Sequence, residues 1–122
     1  MPLSLLIGGI LAALRQIFHL SACPNLANHL WELVGGGDLA AQTAQAMRNV
    51  GLALAAAGAG YADVVKITTY VVNYRPEHRA VIGKARAPFF AAGEPPVSTL
   101  VGVAALALPD WLVEIEAVAV AD

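Results

Sequence analysis

Between Asp38 and Val72 the chain switches once from helical to strand periodicity, and that switch restricts the fold more than any other feature. Leu39, Thr43, Ala46, Val50, Leu54 and Ala57 recur every three or four residues, the spacing of one helical face. Asp38 stands where its side chain can cap the first turn. The opposite face carries Gln42, Gln45, Arg48 and Asn49, and Gly58 and Gly60 then offer left-handed positions that end a helix. The run VVKITTYVV (64 to 72) follows almost at once, and its β-branched residues predict a strand partly covered on both faces.

The pattern continues in the same style. Pro76 suits the first turn of a second helix, because its missing N–H would have had no partner there. Val81, Ala85 and Phe89 read as that helix's apolar stripe, with Glu77, Arg79, Lys84 and Arg86 solvated, and Gly93-Glu94-Pro95-Pro96 stops it. Val97 to Ala104 and Leu112 to Val120 are two more strands, joined by a short turn containing Pro109 and Asp110. In the last strand Val113, Ile115, Ala117 and Ala119 share one face, and Glu114 and Glu116 lie on the other. The order helix, strand, helix, strand, strand predicts an α+β fold, a mixed β-sheet packed on two helices.

The first 34 residues fit two patterns: Leu6, Ile10, Leu14 and Ile17 have helical spacing, yet Ile17 to Leu20 equally suits a strand. Leu3 to Leu14 is an apolar run too short to span a bilayer, which takes about 20 residues. No basic residue precedes it, so it is a poor secretory signal. Leu20-Ser21-Ala22-Cys23 has the look of a lipoprotein processing box, but the same basic start is missing. Cys23 has no second cysteine to pair with, and a reducing, cytoplasmic setting with no membrane association fits best.

Composition adds a constraint on assembly. The chain has 122 residues, enough for one domain, with 58% hydrophobic and 13% charged, against roughly 25% charged in an average soluble domain. A domain this small cannot hide that many apolar side chains inside itself, so a large subunit interface with closed symmetry is expected. The net charge is −2 and the seven Lys and Arg are scattered, which gives no basic stripe for nucleic acid. His19, Cys23 and His29 lack a fourth ligand at a metal-site spacing, and Gly35-Gly36-Gly37 follows no clear strand and lacks G-x-G-x-x-G, so it is a flexible turn rather than a phosphate cradle. His78 reads as a surface residue rather than a base.

Four blocks in register, AAQTAQAMRNVGLALAAAGAGYADVVKITTYVV (40 to 72), Phe89-Phe90, PPVSTLVGVAAL (95 to 106) and LPDWLVEIEAVAV (108 to 120), resemble the Rid family (RidA/YjgF), the reactive-intermediate deaminases. The resemblance treats residues 1 to 122 as a single Rid-type domain, well matched from 35 and divergent before it. It implies a chorismate-mutase-like homotrimer with sheets inward, helices outward and small-molecule clefts between subunits. The implied activity is cofactor-free, metal-free hydrolysis of reactive imines and enamines, such as 2-aminoacrylate, to a 2-oxo acid and ammonia. That chemistry needs a cation for the substrate carboxylate, a group to orient or deprotonate water, and donors for developing charge.

Glu114 matches the glutamate that the resemblance assigns to the water, and Glu116, on the same side of the strand, could raise one of the two carboxyl pKa values. The substrate-holding arginine should follow Pro96-Val97, where this chain has Ser98 and then Thr99. A serine cannot form a bidentate charged clamp. Its loss would cost on the order of 2 to 4 kcal/mol of carboxylate binding. Helix two also departs, with Gly83 where better-known deaminases tend to have Asn. At the N-terminus, Phe18-His19-Leu20-Ser21-Ala22-Cys23 is the nearest counterpart of the family's Ser-Gly-Gln motif, which would bring Ser21 to the cleft. Two readings follow: a deaminase acting on a substrate without a carboxylate, or a trimeric binding protein that kept the clefts and lost the chemistry. A ribonuclease role, a label attached to relatives, is disfavoured by the acidic pI of about 5.8.

Overall fold

The computed structural model describes residues 16–22 and 33–122. The elements are β1 (Gln16–Ala22), α1 (Leu39–Ala56), β2 (Val64–Val72), α2 (His78–Arg86), β3 (Val97–Val103) and β4 (Val113–Ala121), with short 3-10 turns at Tyr61–Asp63 and Ala87–Phe90. The strands form one mixed sheet in the order β1-β4-β2-β3. β4 runs antiparallel to both β1 and β2, and β2 runs parallel to β3. The α+β fold with two helices on a mixed sheet is therefore as expected. Of the open N-terminal alternatives, the strand is the one seen at Gln16–Ala22. Leu6, Ile10, Leu14, Cys23 and His29 lie outside the described residues. Among the described residues no helix is long and apolar enough to cross a membrane.

Helix α1 begins and ends by satisfying its own orphan backbone groups. Asp38 is extended and its carboxylate accepts the Ala41 N–H at 3.0 Å. At the other end Gly58 has φ +77°, the Gly58 N–H donates to the Ala55 carbonyl at 3.0 Å, and the Ala59 N–H donates to Leu54 at 2.8 Å. This is the pair of bonds of a Schellman motif, and it needs the left-handed residue that glycine supplies without a Cβ penalty. Gly60 does not share that role: its φ of −141° is extended, and its N–H donates to the Asp63 carboxylate at 2.8 Å to open the next turn.

One face of the sheet is the core. Met47, Val50 and Leu54 of α1 pack on Ile67, Val71, Val113, Ile115, Ala117 and Ala119 in a single buried cluster. β4 alternates strictly between buried and half-buried residues, which puts the small Ala117 and Ala119 under the helix and the two glutamates on the other side. Helix α2 starts at His78 rather than at Pro76, after a turn closed by the His78 N–H to the Arg75 carbonyl at 2.9 Å. Its core contact is Ile82, 1% exposed, whereas Val81 is 37% exposed, so the expected stripe was out of phase by one residue.

Gln42, Gln45 and Asn49 on the polar face of α1 are also buried, while Arg48 is exposed. Gln42 is fully enclosed and ties three strands of chain together: its amide nitrogen donates to Gly35 (3.2 Å) and Asp110 (3.1 Å), and its carbonyl oxygen accepts the Leu112 N–H at 2.8 Å. Those bonds hold the 35–37 glycine turn and the turn before β4 against the helix, so the glycine turn is pinned. Gln45 donates to Asn49 at 3.0 Å and accepts two bonds from the Arg48 guanidinium. Buried polar groups are tolerated there because they are partnered. β3 and β4, adjacent in sequence, do not pair; β2 lies between them.

Candidate functional site

The site is built where the end of α2 meets the start of β3. β3 is an edge strand, and its register with β2 sets Ser98 beside Ile67, whose side chain belongs to the core face. Ser98 thus points to the helix side, and by alternation Thr99 points to the opposite face. Arg86, the last residue of α2, reaches down onto this corner. Its Nη1 donates to Thr69 Oγ1 at 3.0 Å and to Ser98 Oγ at 3.2 Å. The expectation that Arg86 is solvated is overturned: burial lowers its pKa, and the Nε is enclosed without a hydrogen-bond partner.

Arg86 and Ser98 line a cavity of about 360 Å³ whose other walls include Ile67, Phe90, Pro96 and Gly83. That volume lies at the small end of metabolite pockets, which run from about 300 to 1,000 Å³. Gly83 sits one turn before Arg86 on the same helix face, and a Cβ built there meets nothing within 4 Å. The missing side chain at 83 therefore enlarges the cavity rather than filling it. Phe89 and Phe90 brace the corner through tilted and edge-on contacts with Tyr61, at ring-centroid distances of 5.4 and 6.1 Å.

The carboxylates occupy the other face. Glu114 pairs in register with Tyr70, and Glu116 with Thr68, which in turn lies opposite Thr99. The Tyr70 hydroxyl donates to Glu116 at 2.9 Å, and this bond, with some desolvation and the charge of both glutamates, raises the Tyr70 pKa. Ser21 occupies the β1 position opposite Glu116, so Ser21, Glu116, Thr68 and Thr99 form one transverse row across all four strands. The structure thus divides the expected site residues. Thr99, Glu114 and Glu116 share the open face, while Ser98 stands with Arg86 on the helix face. His78 is engaged at the turn, where its Nδ1 accepts the Arg75 N–H at 3.1 Å. Among the described residues no group of three His, Cys, Asp or Glu is placed to hold a metal ion.

Arg86 is the residue that sequence reasoning missed. The available signal was its place three residues after Gly83 and directly before Ala87-Pro88-Phe89-Phe90, where the helix must end on the sheet.

Comparison with known proteins supports the same grouping. The family model Endoribonuclease L-PSP matches residues 22–121. A Yersinia pestis protein of the Rid family, YyfB, is 44% identical with a TM-score of 0.78, covering 85% of this chain and 77% of its own. Rv2704 of Mycobacterium tuberculosis, of the YjgF/YER057c/UK114 family, is 36% identical with a TM-score of 0.65 over 82% of this chain and 74% of its own. Escherichia coli TdcF, solved with bound serine, is 26% identical with a TM-score of 0.76 over 87% of this chain and 81% of its own. No curated protein matches the chain by sequence. With 100 consecutive positions under the family model and this topology, the chain belongs to the Endoribonuclease L-PSP family, the Rid/YjgF proteins.

Proposed function

We propose that the protein is a cofactor-free hydrolase of reactive imines or enamines, working as a homotrimer in the cytoplasm with small-molecule clefts between subunits. The observation that carries this reading is the open sheet face. It presents Glu114, Glu116, Tyr70 and Thr99 together, on the face opposite the one against which α1 and α2 pack. A second subunit laid against that face would enclose the carboxylates. The half-buried Val118 and Val120 on the same side of β4 supply apolar surface for such a contact.

In this reading Glu114 takes a proton from water as the water oxygen bonds to the imine carbon and the imine nitrogen gains a proton. The resulting carbinolamine then collapses, its C–N bond breaking as C=O forms, to release ammonia and the carbonyl product. An enamine substrate first tautomerises to the imine. Tyr70, bonded to Glu116, fixes the position of that second carboxylate beside Glu114.

The test is release of ammonia and 2-oxo acid from enzymatically generated amino-acid imines. We expect acceleration by the wild-type protein and its loss in Glu114→Gln, alongside a trimer by light scattering. A second reading, a trimeric small-molecule-binding protein without catalysis, is favoured by the serine at 98 in place of the family's arginine. Absence of acceleration together with ligand binding would select it.

A further inference from the structure

We infer that Arg86 supplies, from the helix, the anion-holding cation that β3 lacks, so that the cavity beside Ser98 binds a small carboxylate. This rests on the family chemistry proposed above, and it draws on the surroundings of one side chain. The guanidinium carries five N–H donors in a fixed planar fork. Two bonds from Nη1, to Thr69 and Ser98, immobilise it, whereas among the described residues Nε is enclosed without a hydrogen-bond partner. No carboxylate among the described residues pairs with it, and burial alone lowers its pKa.

A half-buried cation without a counter-charge is costly to keep. Here the cost is localised at the wall of a cavity whose remaining lining includes apolar side chains. A carboxylate entering that cavity would supply the missing counter-charge beside the guanidinium. Ser98 then has a defined role. Its hydroxyl accepts from Nη1 and steers the fork, where a β3 arginine would itself have been the clamp. Gly83 leaves the space that the substrate's remaining atoms need. The bland alternative is that Arg86 only ties α2 to the sheet, and binding measurements separate the two.

The experiment compares pyruvate with pyruvamide, which has the same shape and no charge, by titration followed through backbone amide signals. We expect pyruvate to shift the Gly83 and Ser98 signals and to bind at least tenfold more tightly than pyruvamide. Arg86→Gln should weaken pyruvate by about ten- to a hundredfold, the range for a lost charged hydrogen bond, and erase the preference. Arg86→Lys should retain part of it. Equal wild-type affinities, or a preference that survives in Arg86→Gln, would overturn the inference. If Arg86→Gln does not fold, protection of Arg86 from phenylglyoxal by pyruvate, located by mass spectrometry in the wild-type protein, takes its place. Absence of protection then overturns it. Pyruvate bound through Arg86 without any ammonia release would sink the catalytic reading and leave this one. Turnover of carboxylate imines undiminished in Arg86→Gln would do the reverse.

Discussion

Gln42→Leu is the substitution that best tests how the fold positions β4. The side chain is fully buried, and leucine nearly conserves its volume, so the loss falls on hydrogen bonds rather than on packing. Three bonds go, but not at equal cost. The Gly35 carbonyl still accepts the Asp38 N–H at 2.9 Å, and Asp110 is exposed, so water can replace its lost donor. The Leu112 N–H loses its acceptor outright. A stranded, partly buried donor costs about 1 to 3 kcal/mol, and the two replaceable bonds add about 0.5 to 1 kcal/mol each. The sum is about 2 to 5 kcal/mol, a large share of the roughly 5 to 15 kcal/mol that holds a domain folded. For a chain of this size that is a fall in Tm of about 8 to 20 °C. Thermal and urea unfolding followed by circular dichroism measure it. Because Leu112 lies two residues before Glu114, the proposed imine hydrolysis should fall as well. A loss under about 0.5 kcal/mol would refute the view that this glutamine anchors the entry to β4.

Two further predictions follow from the two faces of the sheet. Ser98→Arg, which would restore the family's arginine by sequence, should instead set a second guanidinium against Arg86 and lower stability by about 1 to 3 kcal/mol in the absence of an anion, from repulsion at about 5 Å in an intermediate dielectric. Raised pyruvate affinity with no stability loss would contradict this. The Tyr70 hydroxyl, held by Glu116, should ionise above the ordinary value of 10.0, so the stability from this bond is complete below pH 10 and is lost as pH rises through the higher folded value. An ultraviolet titration of wild type minus Tyr70→Phe measures the midpoint, and a value at or below 10 would count against the bond.

Much of the fold was legible because local periodicity and tertiary environment agree. The β-branched run at 64–72 became β2 over the same residues, and the Asp38 cap and the Gly58 stop both operate as read. The alternation of β4 placed Glu114 and Glu116 on the face away from the core, since successive strand side chains must point opposite ways. The same rule already separates Ser98 from Thr99. The sequence does not say on which side of the sheet the cavity lies, so the consequence for the site stayed hidden.

The misreadings share one cause. Val81 and Ile82 are equally apolar, and only the docking angle of α2 decides which meets the core. Gln42, Gln45 and Asn49 read only as the face opposite the apolar stripe, and loops and neighbouring side chains decide that they are buried and bonded. Arg86 looks like an ordinary charged residue at a helix end until β2 and β3 bring Thr69 and Ser98 beneath it. Periodicity, caps and β-branching are properties of neighbours along the chain, so the sequence by itself determined the elements, their order and the family. The burial of a charge depends on residues 12 and 17 positions away, and only the tertiary structure decided which cation stands at the cavity.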